Sequence, residues 1–206
     1  MARQRKHNTE DLIEMALGAA EKLIISGGLP ALSGRKVSAE IGYSVGSLYT
    51  VFENLDDLIL QVNTRTLEAM KASMEKAAKQ CSTPEMCIKA MAHAYVEYAC
   101  MNIGLWTAVY EHDLPKETPL PGWYIIKVEN MFELVETQLS SVPGLSKNKI
   151  SEVAKTLWCG VHGICLLAAT RKYEAANVAN VNPLIDGLIT NYMAGLQMKL
   201  RGEKAK

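Results

Sequence analysis

The chain has 206 residues, 49% of them hydrophobic, and its 22 Lys and Arg balance 22 Asp and Glu to a formal net charge of +0. That length allows one large or two small domains with a sizeable core. Zero net charge is unhelpful for a nucleic-acid binder, so specific contacts or dimerisation must supply much of any such affinity. The N-terminus is polar and basic without the apolar segment of a signal peptide. The longest apolar stretch, 157–169, is too short to span a bilayer and contains His162, so a cytoplasmic protein with no membrane partner is expected. The five cysteines, Cys81, Cys87, Cys100, Cys159 and Cys165, are odd in number and form no C-x-x-C pair. Free thiols in a reducing compartment follow, structural and buried for preference.

Taken in chain order, the apolar periodicity predicts helices throughout and no strand of useful length, so the fold class is all-α. Arg3, Arg5 and Lys6 form a basic arm with no acid until Glu10. Over residues 1–52, six Lys or Arg stand against five Asp or Glu, a weak footprint for a nucleic-acid partner. A first helix over 9–26 takes Thr9 as its cap, with Glu10 and Asp11 in the first turn. Residues 33–52, SGRKVSAEIGYSVGSLYTVF, read as two short helices bent around a glycine turn. Ser33 caps the first, over 34–41, and Gly42 ends it, because glycine enters the left-handed region without steric cost. Ser44 caps the second, which carries Val45, Ser47, Leu48, Tyr49 and Thr50. Val37, Ile41, Val45, Leu48 and Phe52 recur every three or four residues and form a small buried seam. Arg35, Lys36, Ser44, Ser47, Tyr49 and Thr50 are left pointing outward. Hydroxyls at the exposed start of a short helix suit phosphates and the edges of a DNA major groove. The alternative is an ordinary helical hairpin with a solvated face.

A fourth helix begins after Asn54 and runs to residue 79 or 80, a rigid rod of roughly 35–40 Å that can join a head to a second domain. Thr83-Pro84-Glu85 starts a helix that reaches about residue 101. A short helix covers 105–113. The stretch 114–122, LPKETPLPG, holds three prolines and is the longest loop. A helix over 123–140 is broken by Pro143-Gly144. Ser146 caps the next, over 147–173, and the last covers 183–200. These final two helices carry broad apolar faces, including Trp158 and Val161 on one and Leu184, Leu188, Ile189, Tyr192 and Leu196 on the other. Gly160 and Gly163 leave room for a neighbouring backbone. Two such helices from each of two subunits make a four-helix bundle, and the resulting homodimer matches a palindromic operator. The alternative is that both faces pack inside one subunit.

Catalytic chemistry finds little footing. There is no phosphate-cradling glycine loop, no H-E-x-x-H, and no Ser or Cys beside a convincing base. No enzyme and no cofactor are expected. His93 and Glu97 share a helix face, and Glu111-His112-Asp113 lies nearby in sequence, but such scattered groups do not make a metal site.

Residues 8–58 resemble the DNA-binding domain of the TetR family of transcriptional regulators. The resemblance rests on Leu12, Ile13, Ala16, Leu17 and Ala20, then Gly27-Gly28, then Leu32-Ser33. It continues through Gly42-Tyr43-Ser44-Val45-Gly46-Ser47-Leu48-Tyr49-Thr50-Val51-Phe52 and closes on Asn54-Leu55-Asp56-Asp57-Leu58. One position departs: the family's usual Lys falls on Leu55, which removes a phosphate contact there. The resemblance implies a DNA-binding domain over 1–54 and a ligand-binding and dimerisation domain over 55–206. It implies a ligand-responsive regulator, by family default a repressor released by a small apolar effector. DNA contacts are then expected from Arg3, Arg5, Lys6, Ser33, Arg35, Ser44, Val45, Ser47, Tyr49 and Thr50. An effector pocket is expected from Met91, Tyr95, Tyr98, Trp106, Val109, Tyr110, Trp123, Met131 and Cys165. Trp158, His162 and Gly163 resemble the Trp-His-Gly signature of one C-terminal subgroup of the family. His162 is otherwise read as a core histidine bonded to a backbone carbonyl. The competing function is an all-helical adaptor or small-molecule-binding protein without DNA binding.

Overall fold

The computed structural model describes residues 8–170 and 180–204. Arg3, Arg5 and Lys6, and the expected end of the eighth helix at 171–173, lie outside the described residues. Among the described residues the chain forms nine α-helices, one 3-10 turn and no strand.

α1 (Thr9–Gly27) is capped by Asn8 and not by Thr9. The Asp11 amide donates to the Asn8 side chain at 2.7 Å, and the Asp11 carboxylate accepts from the Asn8 amide, a reciprocal capping box. Gly28 ends the helix at φ 69°, and its amide donates to the Ile24 carbonyl at 2.8 Å. A 3-10 turn, Leu29–Ala31, follows around Pro30, which the sequence pattern had not signalled. α2 (Gly34–Ile41) has the expected Ser33 cap and ends at Gly42, whose φ of 75° is left-handed. α3 (Val45–Leu48), capped by Ser44, is shorter than expected. The Thr50 and Val51 amides donate only three residues back, so the coil tightens after Leu48. α4 (Leu55–Ala78), α5 (Pro84–Met101), α6 (Ile103–Glu111), α7 (Gly122–Ser140), α8 (Lys147–Ala169) and α9 (Asn182–Lys204) complete the chain.

Two compact units result. The first runs to residue 67 and includes 102–124; the second takes 68–101 and the chain from 125 onward. The first unit closes on Leu17, Ile24, Val37, Leu48, Phe52, Leu58 and Val62, with Ala108 of α6 in the same core. Val45, expected in this seam, is instead 37% exposed. It lies in the first turn after the Ser44 cap, outside the packed interior.

α6 is tied to this first unit at several points. Asn63 Nδ2 donates to the Ala108 carbonyl at 3.2 Å, and His112 Nε2 lies 3.0 Å from the Asp56 carboxylate. Gly104 allows the closest approach: a Cβ there would stand 2.8 Å from the Ile24 carbonyl oxygen. Arg65 of α4 pairs with Glu14 and Glu21 of α1.

The second unit packs α5, α8 and α9 around Ala99, Val153, Leu157, Cys165, Ile185, Ile189 and Met193. A polar seam sets α9 against α5. Thr190 Oγ1 donates to Glu85 at 3.2 Å, and His93 Nε2 meets Asp186 at 2.8 Å. Leu188 of α9 sits over Gly160 of α8, where a Cβ would come within 2.6 Å of its side chain. α8 is long and apolar enough, by length and composition alone, to cross a membrane. Val153, Leu157, Val161 and Cys165 bury one side of it, while Leu166 and Leu167 are each 47% exposed.

Candidate nucleic-acid interface and effector cavity

The first candidate site is the outward side of α2 and α3. Arg35, Lys36, Ser44, Val45, Gly46, Tyr49 and Thr50 are exposed there, while Ser33 and Ser47 are half-buried. The caps place these groups. Ser33 and Ser44 each accept an amide of the first turn, which fixes the two helices at the glycine bend. Tyr49 is 41% exposed, and its hydroxyl lies over Gly34: a Cβ at Gly34 would stand 2.6 Å from it. The Lys36 ammonium donates to the Ala31 carbonyl at 2.9 Å and is partly engaged. Leu55, standing where a lysine would be expected, packs against the core of the unit. The structure therefore gathers seven of the ten expected DNA contacts on one unit. The other three, Arg3, Arg5 and Lys6, lie outside the described residues.

The second candidate site is a cavity of about 50 Å³ inside the second unit. Its walls are Met74 of α4, Ile88, Met91, Ala92 and Tyr95 of α5, Met131, Phe132 and Val135 of α7, and Leu157, Trp158 and Val161 of α8. No lining residue carries a formal charge at neutral pH. The lining side-chain groups able to hydrogen-bond are the Tyr95 hydroxyl and the Trp158 indole N–H. Tyr95 Oη lies 2.9 Å from His162 Nδ1, and Trp158 stacks on the His162 ring at 4.9 Å between centroids. Phe132 meets Trp158 edge-on at 5.6 Å. His162 thus pairs through Nδ1 with a tyrosine hydroxyl. Burial holds its pKa below the ordinary histidine value, which favours the neutral ring.

Of the expected pocket residues, Met91, Tyr95 and Met131 line this cavity. Tyr98 and Cys165 belong to the same unit but not to its lining. Trp106, Val109, Tyr110 and Trp123 fall in the other unit, because residues 102–124 fold back onto it. Trp106 is buried there, 5.1 Å from the Tyr110 ring. Trp158 and Val161, read as interface, are cavity wall. Met74, Ile88, Ala92, Phe132, Val135 and Leu157 were not among the expected pocket residues, although 88/91/95, 131/135 and 157/161 show helical spacing.

All five cysteines are free. Cys87 and Cys165 are buried, Cys81 is half-buried, and Cys100 and Cys159 are exposed. Burial raises the Cys87 and Cys100 pKa values and pushes Cys165 up to about 12, so these thiols stay protonated and unreactive at neutral pH. Among the described residues no three His, Cys, Asp or Glu side chains gather as a metal site.

A helix-turn-helix unit with an exposed reading face, and a helical unit with an apolar cavity, are the two parts of a ligand-responsive DNA-binding regulator. Comparison with known families bears on both. Residues 16–62 match the family of bacterial regulatory proteins, tetR family, and residues 88–192 match the tetracyclin repressor-like C-terminal domain. The chain belongs to the TetR family of transcription regulators, which bind operator DNA and small-molecule effectors as dimers and are not enzymes. Solved structures agree in fold. A protein of unknown function from Rhodococcus sp. RHA1 is 21% identical with a TM-score of 0.75, covering 94% of this chain and 98% of its own. The TetR family regulator PfmR from Thermus thermophilus is 15% identical with a TM-score of 0.58, covering 86% and 96%. The transcriptional regulator FadR from Bacillus subtilis, in complex with stearoyl-CoA, is 13% identical with a TM-score of 0.62, covering 88% and 98%. At such identities the likeness shows the fold alone. No curated protein matches the sequence.

Proposed function

We propose that the protein is a cytoplasmic repressor that holds a palindromic operator as a homodimer and is released by a small apolar effector. The cavity carries this reading. Its lining is uncharged, with the Tyr95 hydroxyl and Trp158 N–H as handles for orientation. A carboxylate or a CoA phosphate would find no cation among those walls, and burying an unpaired charge is strongly unfavourable. A compact neutral effector is therefore favoured over an acyl-CoA. The cavity of about 50 Å³ is below the roughly 300–1,000 Å³ usual for ligand sites, so a larger effector requires the lining to widen. Met74, Met91 and Met131 suit that need, because unbranched thioether chains repack readily.

The dimer face lies on α8 and α9 but not on all the residues first expected. Val161, Ile189 and Leu196 are buried within the protomer. Leu166, Leu167 and Leu184 are exposed, and Gly163 has open space around it. On α8, positions 163, 166 and 167 share one face by helical spacing, and that face is available to a second copy. Trp158, His162 and Gly163 support membership of the subgroup with that C-terminal signature.

The test is a mobility shift on DNA upstream of the protein's own coding sequence, followed by release with a panel of neutral aromatic and aliphatic compounds. A retarded band released by a compound that also changes Trp158 fluorescence is expected. Absence of any retarded complex would overturn the DNA-binding reading. Release only by charged ligands that leave Trp158 unperturbed would overturn the effector reading.

A further inference from the structure

The reading face turns its hydrogen-bonding groups back on itself. Ser44 Oγ accepts the Ser47 amide at 3.0 Å and lies 2.9 Å from Ser47 Oγ. Thr50 Oγ1 donates to the Ser47 carbonyl at 2.7 Å. Lys36 donates to Ala31. Between positions 45 and 50 there is no Arg, Lys, Asn, Gln, Asp or Glu, the side chains that make directed bonds to base edges. What remains exposed at its two ends is apolar: the two methyls of Val45, and the methyl of Thr50 once its hydroxyl is turned inward. Gly46 between them is bare, its nearest neighbour Ser44 Oγ at 3.7 Å from where a Cβ would stand. Arg35 alone, on α2, is an exposed cation of this face with no hydrogen bond or ion pair among the described residues.

We propose that this protein reads its operator chiefly through thymine methyl groups. Val45 and Thr50 each pack on a thymine C5-methyl, Gly46 lets the backbone come close, and Arg35 makes the one directed contact, to a guanine. The proposal rests on the DNA-binding reading of the same face and adds which bases that face selects. The reason is chemical. In the major groove the C5-methyl of thymine is the apolar feature that tells one base pair from another, while guanine, cytosine and adenine announce themselves through donors and acceptors. With the Thr50 hydroxyl turned inward and the Ser44 and Ser47 hydroxyls paired with each other, Val45 and Thr50 offer methyls to the bases, and discrimination there is by methyl burial. Arg35, with its planar fork, suits the paired acceptors of guanine.

The experiment uses the full-length protein and two random-sequence duplex pools, one with thymine and one with uracil in every thymine position. Uracil differs from thymine only by the missing methyl. Sites enriched from the thymine pool are sequenced, and their affinities are measured by fluorescence anisotropy with single thymine-to-uracil replacements. Wild type, Val45→Ala and Thr50→Ser are compared. Both substitutions remove methyl groups at exposed positions, and alanine is the better helix former, so folding is preserved. The expected motif has thymine at two positions per half-site and one guanine. Each uracil at those thymines should weaken binding about fourfold, the worth of one buried methyl. In Val45→Ala the replacement at one of the two positions should have no further effect, and in Thr50→Ser the replacement at the other. Equal enrichment from both pools, or uracil sensitivity that survives both substitutions, overturns the proposal while leaving DNA binding intact. Failure to enrich any duplex overturns the DNA-binding reading, and the proposal falls with it.

Discussion

A methyl group at Gly104 tests the placement of α6 most sharply. A Cβ there would stand 2.8 Å from the Ile24 carbonyl oxygen, and 3.4 Å from Ile24 C and Ile25 Cα. These are main-chain atoms near the end of α1. The oxygen already accepts the Gly28 amide at 2.8 Å, so it is not free to turn aside. α6 must retreat by about 0.5 Å, which forfeits about a quarter of the dispersion attraction at the contact. Overpacking of this kind costs about 1–3 kcal/mol. Alanine returns about 1 kcal/mol through helix propensity, so Gly104→Ala should destabilise by about 0–2 kcal/mol. Gly18 of α1 supplies the opposite sign within the same unit. It has nothing within 4 Å, and Gly18→Ala should stabilise by about 0.5–1 kcal/mol. Urea midpoints followed by circular dichroism, at unchanged slope, measure both. A Gly104→Ala protein as stable as Gly18→Ala would refute the packing of α6 on α1.

Tyr49→Phe should weaken binding to all duplexes alike, by about 1 kcal/mol for one lost phosphate hydrogen bond; anisotropy that shows a change of sequence preference instead would move Tyr49 to the base edges. Stability should fall on acidification. Burial lowers the His112 pKa, against the opposing pull of Asp56 and Asp113, and burial lowers that of His162. Each ring binds its proton more readily in the unfolded chain. Their contribution is therefore full above about pH 6.5 and is lost as the pH drops from there through the lower folded values. Urea midpoints against pH should show a shallower acid limb for His112→Gln, and an unchanged limb would sink the assignment. Leu167→Glu should yield a folded monomer by sedimentation, whereas Ile189→Glu, at a position 0% exposed, should fail to fold; a stable Leu167→Glu dimer would remove α8 from the interface.

Much of the fold was legible because it is written in local chemistry. Ser33, Gly42, Ser44, Pro84 and Ser146 mark element boundaries through bonds or backbone freedom within a few residues. The helical periodicity of Val37, Leu48 and Phe52 marked the core of the first unit. The destination of 102–124 was not local. Trp106 looks the same whether it lines a cavity in one unit or is buried in the other. Only the close approach that Gly104 permits, and the Asn63 and His112 bonds, decide between them. Val45 misled for a related reason. Its spacing fits the seam, but α3 ends at Leu48, too short for the periodicity to govern its first residue. The cavity was half legible because a Met or aromatic at helical spacing is consistent with wall and with plain core alike.

On the proposed function, α4 is the element through which effector and operator communicate. It is one unbroken helix that gives Met74 to the cavity wall and gives Asp56 and Asn63 to the bonds that hold α6. The cavity of about 50 Å³ is small for an effector, so on this reading binding displaces Met74 and its neighbours. That displacement releases DNA only if the effector prefers the arrangement in which the two recognition faces of a dimer no longer match the half-sites. Linkage then requires that operator DNA weaken effector binding by the same factor that effector weakens operator binding. Trp158 lies in the wall, and a Trp158→Phe control separates its emission from that of Trp106 and Trp123. Its fluorescence, titrated with effector in the presence and absence of a saturating duplex, should give two affinities whose ratio equals the effector-induced loss of operator affinity. Equal affinities in both titrations would break the link through α4 even with both sites occupied as proposed.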